Sequence, residues 1–324
     1  MKNLVKQVQN VNSRHLLWTE GDILILGVSG GPDSMCLFDI MCQIAKKREL
    51  TIIVAHINYG LRGDNSDDDQ KKVEEYSKSQ NIICETYIYT GKDSDENTLR
   101  IVRYDFFAQL FKKYNASGIL VAHTKNDQAE TLLLHLLRGS GLQGLSGMKV
   151  KTQNNIIRPL LYVQRTDILK YCADNNIDYN IDKSNDEVFY VRNKVRNNLI
   201  PYLEKEFNPQ IIDVLAKTTQ TVAEDYDFLE KQNKTFWKYN SEDKKIIFSA
   251  KYFSKQHTSV QRYSLRTMIL QISGNIMNIE SGFVEELQKV LLSGKNKHQE
   301  ITGKNLKMLR KGDIVELTCL SKNK

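Results

Sequence analysis

A short stretch of the chain combines residue types and a spacing that suit phosphate binding. An apolar run ends in Ser29-Gly30-Gly31-Pro32-Asp33-Ser34, and an amphipathic stretch follows directly. Glycine adopts backbone angles that other residues avoid and lets a ligand approach the main chain closely. Free N–H groups at the start of the next helix would face that ligand, and a helix N-terminus favours an anion such as phosphate. The spacing is neither the Walker pattern nor G-x-G-x-x-G, so an ordinary glycine-rich turn is the alternative.

The acidic residues Asp127 and Glu130 form a second candidate site. They stand three positions apart at the start of a predicted helix and therefore share one of its faces. Carboxylates in a first helical turn complement the helix dipole, which is the simpler interpretation. Two converging carboxylates would equally suit the ammonium group of a cationic substrate. The residues alone leave both interpretations open.

Two basic stretches follow the acidic pair. Residues 138–148 begin with Arg138 and contain four glycines, so we expect a loop there that serves as a lid, a backbone platform or a plain linker. Residues 192–198 hold three cations and three asparagines. That composition suits phosphate contacts, and a solvated helix face explains it almost as well.

The elements that must position these residues are predicted from the apolar periodicity. Runs with the apolar content of buried strands occur at 23–28, 51–57, 82–89 and 118–123. Helical patterns lie between them, so the alternation predicts an α/β fold with a doubly wound, mostly parallel, Rossmann-like sheet. Polar residues collect directly after three of these runs, where ligands bind in such sheets. Distant parts of the chain should therefore border one crevice.

Length and charge divide the chain into two predicted domains. A chain of 324 residues is too long for one core by default. We expect a first domain over 1–209, then a long linker helix and a smaller α+β domain with terminal β-hairpins over 210–324. Residues 1–209 carry 27 Lys and Arg against 26 Asp and Glu, whereas residues 210–324 carry 19 against 13. This excess predicts a polyanionic partner for the second part, and simple solubility is the alternative.

The sequence also indicates the cellular compartment of the protein. The sequence contains no apolar run long enough to span a bilayer, and its N-terminus lacks the apolar core of a signal peptide. The five cysteines are scattered and form no C-x-x-C. We therefore expect a cytoplasmic protein with reduced thiols, no membrane partner and no iron–sulfur cluster.

Several stretches together resemble the tRNA(Ile)-lysidine synthase family of the PP-loop, or N-type ATP pyrophosphatase, enzymes. In chain order they are S-G-G-P-D-S (29–34), H-I-N-Y-G-L-R (56–62), E-x-x-x-R-x-x-R-Y (96–104), A-H-x-x-x-D-Q-A-E-T (122–131), L-R-G-S-G-L-x-G-L-x-G-M (137–148), R-P-L-L (158–161), D-x-S-N (182–185) and R-N-x-x-R (192–196). Two positions depart from the family pattern. Tyr59 replaces a common histidine, and Asn126 replaces the first of two common aspartates.

The resemblance implies a two-step ligation. ATP would activate the C2 oxygen of the wobble cytidine in a tRNA(Ile) with a CAU anticodon, giving an adenylate and pyrophosphate. The ε-amine of free L-lysine would then attack C2 and release AMP. The product, lysidine, would switch the codon and amino-acid specificity of the tRNA from methionine to isoleucine.

The resemblance also assigns roles to individual residues. The loop 29–34 and His56 would bind ATP, with Asp33 close to Mg²⁺. Arg103 would stand by the α-phosphate, Asp127 and Glu130 would bind lysine, and Asp33, Arg103 and Asp127 would be catalytic. The residues that would approach tRNA phosphates are Arg100, Arg138, Arg192, Arg196, Lys304 and Arg310.

Other interpretations share the same loop. A tRNA thiolase would use the same fold but usually carries paired cysteines, and a non-catalytic RNA-binding protein would not need an intact phosphate loop. The lysidine interpretation requires tRNA(Ile), lysine, ATP and Mg²⁺ and no organic cofactor. Whether the protein forms a homodimer stays open.

Overall fold

A computed structural model describes residues 3–60, 64–91, 93, 95–180, 191–232, 235–274, 281–294 and 298–320. The chain divides into two compact units, Met1–Thr221 and Val222–Lys324. The division falls inside a helix, Ile211–Gln232, which is the long helix expected after residue 209.

The first unit alternates helices and strands. Its elements are α1 Leu4–His15, β1 Ile23–Gly27, α2 Pro32–Arg48, β2 Thr51–Asn58, α3 Asp64–Ser79, β3 Ile83–Ile88, α4 Glu96–Lys113, β4 Gly118–Leu120, α5 Lys125–Leu137, α6 Leu142–Leu145, β5 Ile156–Ile157, α7 Arg165–Asp174, α8 Val191–Lys194, a π-helical turn Val195–Leu199 and α9 Ile200–Glu206, before α10 Ile211–Gln232. The glycine-rich stretch is thus not purely loop, because α6 lies within it.

The five strands of this unit form a parallel sheet in the order β3-β2-β1-β4-β5. Both faces are covered, so the strands are apolar on both sides. Leu24, Leu26 and Val54 belong to one core cluster with α2, whereas Ile25 and Ile53 belong to another with α4. The predicted doubly wound parallel sheet is confirmed, and its strand ends meet at one edge as expected.

The second unit is an antiparallel sheet with helices. Its elements are β6 Lys238–Asn240, β7 Lys245–Ser249, α11 Ala250–Ser254, α12 Thr258–Ser273, α13 Ser281–Leu292, β8 Gln299–Gly303, β9 Leu306–Lys311 and β10 Ile314–Cys319. The strand order is β6-β7-β10-β9-β8, so the predicted α+β class and terminal hairpins are confirmed. Among all described helices, none is both long and apolar enough to span a lipid bilayer.

Arg310 stabilises this second unit from inside. Its side chain is 9% exposed. One guanidinium nitrogen, Nη1, donates to the carbonyl oxygens of Val290, Leu291 and Ser293 at 2.7, 3.1 and 2.9 Å, and Nε donates to that of Gly312 at 3.1 Å. The guanidinium therefore caps the carbonyl end of α13. It is not presented at the surface as an ordinary phosphate contact would be.

Replacing Arg310 with methionine should destabilise the second unit, because the carbonyl groups at the end of α13 lose their donors. An unsatisfied buried acceptor costs about 1–3 kcal/mol. Urea unfolding, followed by the fluorescence of buried Trp237 in a Trp18→Phe background, measures this loss. The control is Lys311→Met, an exposed position on the same strand, which should leave the free energy of unfolding unchanged. Equal losses in both variants would contradict the capping role.

Candidate active site

The phosphate loop connects the end of β1 to the start of α2. Gly30 has a φ of +87°, in the left-handed region, and a Cβ there would lie 3.0 Å from the Oδ1 atom of Asp69. Both the backbone angle and the space thus favour glycine. Gly31 is the N-cap residue and offers no side-chain acceptor to the first turn of α2, and Pro32 opens the helix. The N–H groups of this turn are therefore not capped by the N-cap side chain.

Two serines hold the loop in shape. The Ser34 hydroxyl donates to the Gly31 carbonyl at 2.9 Å and accepts from the Ser29 backbone N–H at 3.1 Å. The two hydroxyl groups lie 3.2 Å apart. The loop is thus closed by its own side chains before any ligand arrives, which lowers the entropic cost of binding one.

Asp33 carries a buried oxygen without a partner. Among the described residues, none hydrogen-bonds to its Oδ1 atom. Burial raises the pKa of Asp33 to about 6; the nearby Asp127 and Glu130 carboxylates add to the rise, while Arg165 and Arg196 oppose it. The group is ionised at neutral pH, and a cation would satisfy its open oxygen. Asp33 therefore fits the role of a Mg²⁺ ligand.

A metal ion at this position would need further ligands from elsewhere. Within the described ranges, no cluster of three or more His, Cys, Asp or Glu side chains could hold one. Mg²⁺ commonly binds one or two protein carboxylates and completes its shell with water and substrate phosphates. Asp33, a single carboxylate in a phosphate loop, fits this mode of Mg²⁺ coordination.

His56 lies beneath the loop, on β2. It is 2% exposed, and its Nδ1 atom lies 2.9 Å from the carbonyl oxygen of Val28. Because a carbonyl only accepts, Nδ1 carries the proton and Nε2 is bare. The Nε2 atom is buried and has no partner among the described residues, and burial lowers the pKa of the ring. A neutral imidazole thus ties β2 to the start of the loop.

The acidic pair at the start of α5 is positioned by a capping box. Thr124 is the N-cap residue, and its backbone N–H and hydroxyl donate to the Oδ2 atom of Asp127 at 2.8 and 2.9 Å. This fixes the carboxylate and leaves Oδ1 facing away from the cap. Glu130 follows one turn later and is 2% exposed.

Arg192 and Arg196 lie against these two carboxylates. Arg192 contacts Glu130 at 3.0 Å and Asp127 at 3.2 Å; Arg196 contacts them at 2.6 and 3.3 Å. We call these four residues the ion-pair cluster. Arg192 lies in α8 and Arg196 in the π-helical turn, four positions apart, so both reach the same pair. The structure thus joins residues to which the family resemblance gave separate roles, in binding lysine and in binding tRNA.

The ion-pair cluster contains two negative carboxylates and two positive guanidinium groups, so its formal charges cancel. Burial alone would raise the pKa of Asp127, but His123, the Thr124 N–H and the two guanidinium groups hold it below its usual value. Burial would likewise lower the pKa of Arg196, but the ion pairs with Glu130 and Asp127 raise it. A third cation would therefore compete with the guanidinium groups for these carboxylates.

A group of cationic residues lies on α4 and the neighbouring strand ends. The guanidinium carbons of Arg100 and Arg103 lie 4.9 and 5.5 Å from the ring centre of Tyr104. Neither arginine pairs with an acid among the described residues. The predicted α-phosphate residue, Arg103, is thus available to an anion. Two further residues, His123 and Arg158, were given no role in the sequence analysis. Their signal in the sequence was their place in two of the family motifs, A-H-x-x-x-D-Q-A-E-T (122–131) and R-P-L-L (158–161).

Comparison with known proteins identifies the family. The family model of the PP-loop domain matches residues 2–203. The tRNA(Ile)-lysidine synthase of Clostridium tetani is 35% identical over 319 residues, which are 96% of this chain and 68% of that protein. That of Caldanaerobacter subterraneus is 34% identical over 299 residues, which are 89% and 63%. The chain belongs to the tRNA(Ile)-lysidine synthase family. It spans about two thirds of the length of these relatives.

A solved structure shares the fold. The U34-tRNA thiolase of Methanococcus maripaludis matches with a TM-score of 0.57 at 16% identity, over 68% of this chain and 78% of that one. At this identity the likeness concerns the architecture alone.

The two departures from the family pattern have local explanations. The Asn126 side chain accepts from the backbone N–H of Arg165, at the start of α7, at 3.0 Å, so it joins α5 to α7. The Tyr59 hydroxyl donates to the Leu99 carbonyl at 3.4 Å, and its ring packs edge-on against Tyr89. Neither residue belongs to the ion-pair cluster.

Hydrogen bonds from two residues of α5 hold the glycine-rich stretch 138–148 in place. Gln128 exchanges two hydrogen bonds with the Met148 backbone, at 3.0 and 2.8 Å, and the His135 ring contacts the Gly144 carbonyl at 2.5 Å. Of the three roles expected for this stretch, the backbone platform suits these contacts best. Arg138 is exposed at its start. The motif residues Arg62, Asp182, Ser184 and Asn185 lie outside the described residues.

Replacing Asp33 with asparagine should make the folded protein more stable at neutral pH. The folded state holds the Asp33 proton with a pKa of about 6, above its ordinary value of 3.8, so wild-type stability falls as the pH rises between these values. Asparagine cannot ionise, so the stability of the variant does not fall in this pH range for that reason. A tenfold change in proton affinity is worth about 1.4 kcal/mol, so the gain reaches about 3 kcal/mol above pH 7.

Thermal unfolding of the two proteins at pH 4.5 and 7.5 measures this gain, which should shrink towards the lower pH. The matched control is Asp39→Asn in the same helix. Asp39 accepts from the hydroxyl groups of Tyr76 and Tyr171 at 2.8 and 2.5 Å, so this variant should lose stability instead. A less stable Asp33→Asn protein at pH 7.5 would show that the Asp33 carboxylate is satisfied after all.

Proposed function

We propose that this protein uses ATP to join free lysine to C2 of the wobble cytidine of a tRNA(Ile) with a CAU anticodon, releasing AMP and pyrophosphate. One observation carries the proposal within the family. The strands β1 and β4 are parallel neighbours in the sheet, so the phosphate loop after β1 and the acidic pair on α5, which follows β4, lie at neighbouring strand ends. The anion-binding loop and the acidic pair therefore border the same crevice, as a reaction between a nucleotide and an amine requires.

The first step forms the adenylate. The loop 29–34 and the N–H groups of α2 hold the triphosphate, with His56 supporting the loop from below. The cytidine C2 oxygen attacks the α-phosphorus, and the bond to pyrophosphate breaks. Asp33 would hold Mg²⁺ beside the phosphates, and the ion would supply positive charge to offset that of the leaving group. Arg103 meets the charge that develops on the α-phosphate in the transition state.

The second step transfers lysine. Its ammonium group exchanges with a guanidinium group on Asp127 and Glu130, which places the amine next to the adenylate. Once the nitrogen has lost a proton to solvent, its lone pair attacks C2 and forms the C–N bond. The bond between C2 and the adenylated oxygen breaks, and AMP leaves with that oxygen. The displaced Arg192 or Arg196 then turns to a phosphate of the tRNA. The lysine and tRNA assignments of the cluster thus describe two states of one set of residues.

Phosphate contacts from the rest of the chain add affinity. In the first unit, Arg100 and Arg138 are exposed and suit the tRNA backbone. In the second unit, exposed Lys304 lies in the turn between β8 and β9, whereas Arg310 caps α13. The contribution of these cations should fall as the salt concentration rises. A cytoplasmic location, where tRNA, ATP and lysine are present together, suits this activity.

Release of AMP and pyrophosphate from ATP tests the proposal. Lysine and tRNA are omitted in turn from the complete reaction. We expect AMP formation that requires both. Norleucine, which lacks the ε-amine, should not replace lysine. Turnover that is indifferent to lysine but depends on a sulfur donor would favour the thiolase alternative, and tRNA binding without any turnover would favour a non-catalytic RNA-binding protein.

Variants of Arg103 and Asp127 should separate the two steps. Arg103→Met should slow pyrophosphate release by about 10²–10³-fold, the usual effect of losing one donor to a transition-state charge. Asp127→Asn should mainly raise the lysine concentration needed for half-maximal AMP release. Lys112→Met, at an exposed position of the same helix as Arg103, is the control and should behave as wild type. An Asp127→Asn protein with unchanged lysine dependence would rule out the lysine site.

A further inference from the structure

Arg158 is a buried arginine that pairs with no acid among the described residues. It follows β5 directly and is 5% exposed. Its Nη1 atom donates to the Lys149 carbonyl at 2.8 Å, and its Nε atom donates to the Nδ1 atom of His123 at 3.2 Å. A buried charge without a counter-charge is costly, which indicates that this guanidinium group serves more than folding.

The contact with His123 fixes the position of a proton. An arginine guanidinium group only donates hydrogen bonds. The Nδ1 atom of His123 must therefore accept and carry no proton, which leaves the proton of the neutral ring on Nε2. A doubly protonated ring would place two N–H groups against each other. Arg158 thus disfavours both the charged form and the other tautomer.

The surroundings of His123 favour the same form. Burial lowers the pKa of the ring to about 4, the Asp127 carboxylate opposes this, and Arg158, Arg103 and Arg192 lower it further. The ring is therefore neutral at physiological pH. Within the described part of the chain, the Nε2 atom of His123 has no hydrogen-bond partner. A donor is left open among the residues assigned to the reaction.

We propose that Arg158 is a positioning residue, which holds His123 as the neutral tautomer with its proton on Nε2 so that the crevice presents one uncharged hydrogen-bond donor. The acceptor suited to this donor is a carbonyl or phosphate oxygen of the nucleotide substrates. The identity of that acceptor rests on the proposed function, whereas the tautomer does not. A neutral donor beside Arg103 adds directionality without a further positive charge next to the lysine site.

Nitrogen NMR of the wild-type imidazole rings tests the tautomer without any substrate. His56 is an internal reference with the opposite pattern, because its Nδ1 atom faces a carbonyl. We expect a bare Nδ1 and a protonated Nε2 for His123, and the reverse for His56, at pH 7. The signals are assigned with His123→Gln and His56→Gln. A charged His123, or one protonated on Nδ1, would overturn the proposal.

Variants of Arg158 test the consequence for activity. Arg158→Met should allow both His123 tautomers and lower kcat about 10-fold, the rate effect of losing one neutral hydrogen bond of about 1.4 kcal/mol. Arg158→Lys keeps a donor and should restore much of the tautomer preference. Glutamine at position 123 supplies an N–H close to the position of Nε2. In a His123→Gln background, Arg158→Met should therefore cost little more.

A purely structural role of Arg158 makes a different prediction. The bond to the Lys149 carbonyl would then matter most, and Arg158→Met would lower activity equally in both backgrounds with no change in the His123 tautomer. That result would overturn the proposal. If the wild-type protein shows the expected tautomers but forms no AMP with lysine and tRNA, the proposed function fails while the tautomer assignment stands.

Discussion

The charge balance of the ion-pair cluster is the constraint on which the site depends. Two carboxylates and two guanidinium groups share a largely buried volume, and the loss of any one leaves an uncompensated charge there. Their field also reaches beyond the cluster. Asp127 and Glu130 help to raise the pKa of Asp33, while Arg192 helps to lower that of His123. The charges of the cluster therefore influence the protonation of both Asp33 and His123.

Three buried polar atoms of the first unit lack a hydrogen-bond partner among the described residues. In the described part of the chain, the buried side-chain atoms without a partner are Asp33 Oδ1, His56 Nε2 and the Tyr104 hydroxyl. Such atoms are rare in folded proteins because each costs stability. Here they lie in the phosphate loop, beneath it, and beside the arginines of α4. Two of the three belong to the phosphate loop and to the residue that hydrogen-bonds to its start, which indicates that this region is shaped for a ligand and not only for folding.

The fold could be predicted because the parallel strands are apolar on both faces and polar residues follow their ends. The contacts of Arg192 and Arg196 could not, because Glu130 lies more than 60 residues away in sequence. Composition does not distinguish a cation that binds phosphate from one that pairs with a carboxylate. Short elements such as α6 and β6 carry too few residues for a periodic signal.

Arg310 shows a signal that was available in the sequence. Arg310 follows Leu306 and Met308 at intervals of two residues along β9, and both of these residues are buried. Alternate residues of a strand point to the same face of the sheet. This spacing places the side chain of Arg310 on the inner face. Counting it only as a positive charge concealed that position.

Mass analysis of the wobble nucleoside tests the central claim most directly. A tRNA(Ile) with a CAU anticodon is incubated with the protein, ATP, Mg²⁺ and isotopically labelled lysine, and then digested to nucleosides. The account predicts that cytidine at the wobble position gains the mass of labelled lysine less one water. An unmodified cytidine, or one that has gained sulfur instead, would contradict it.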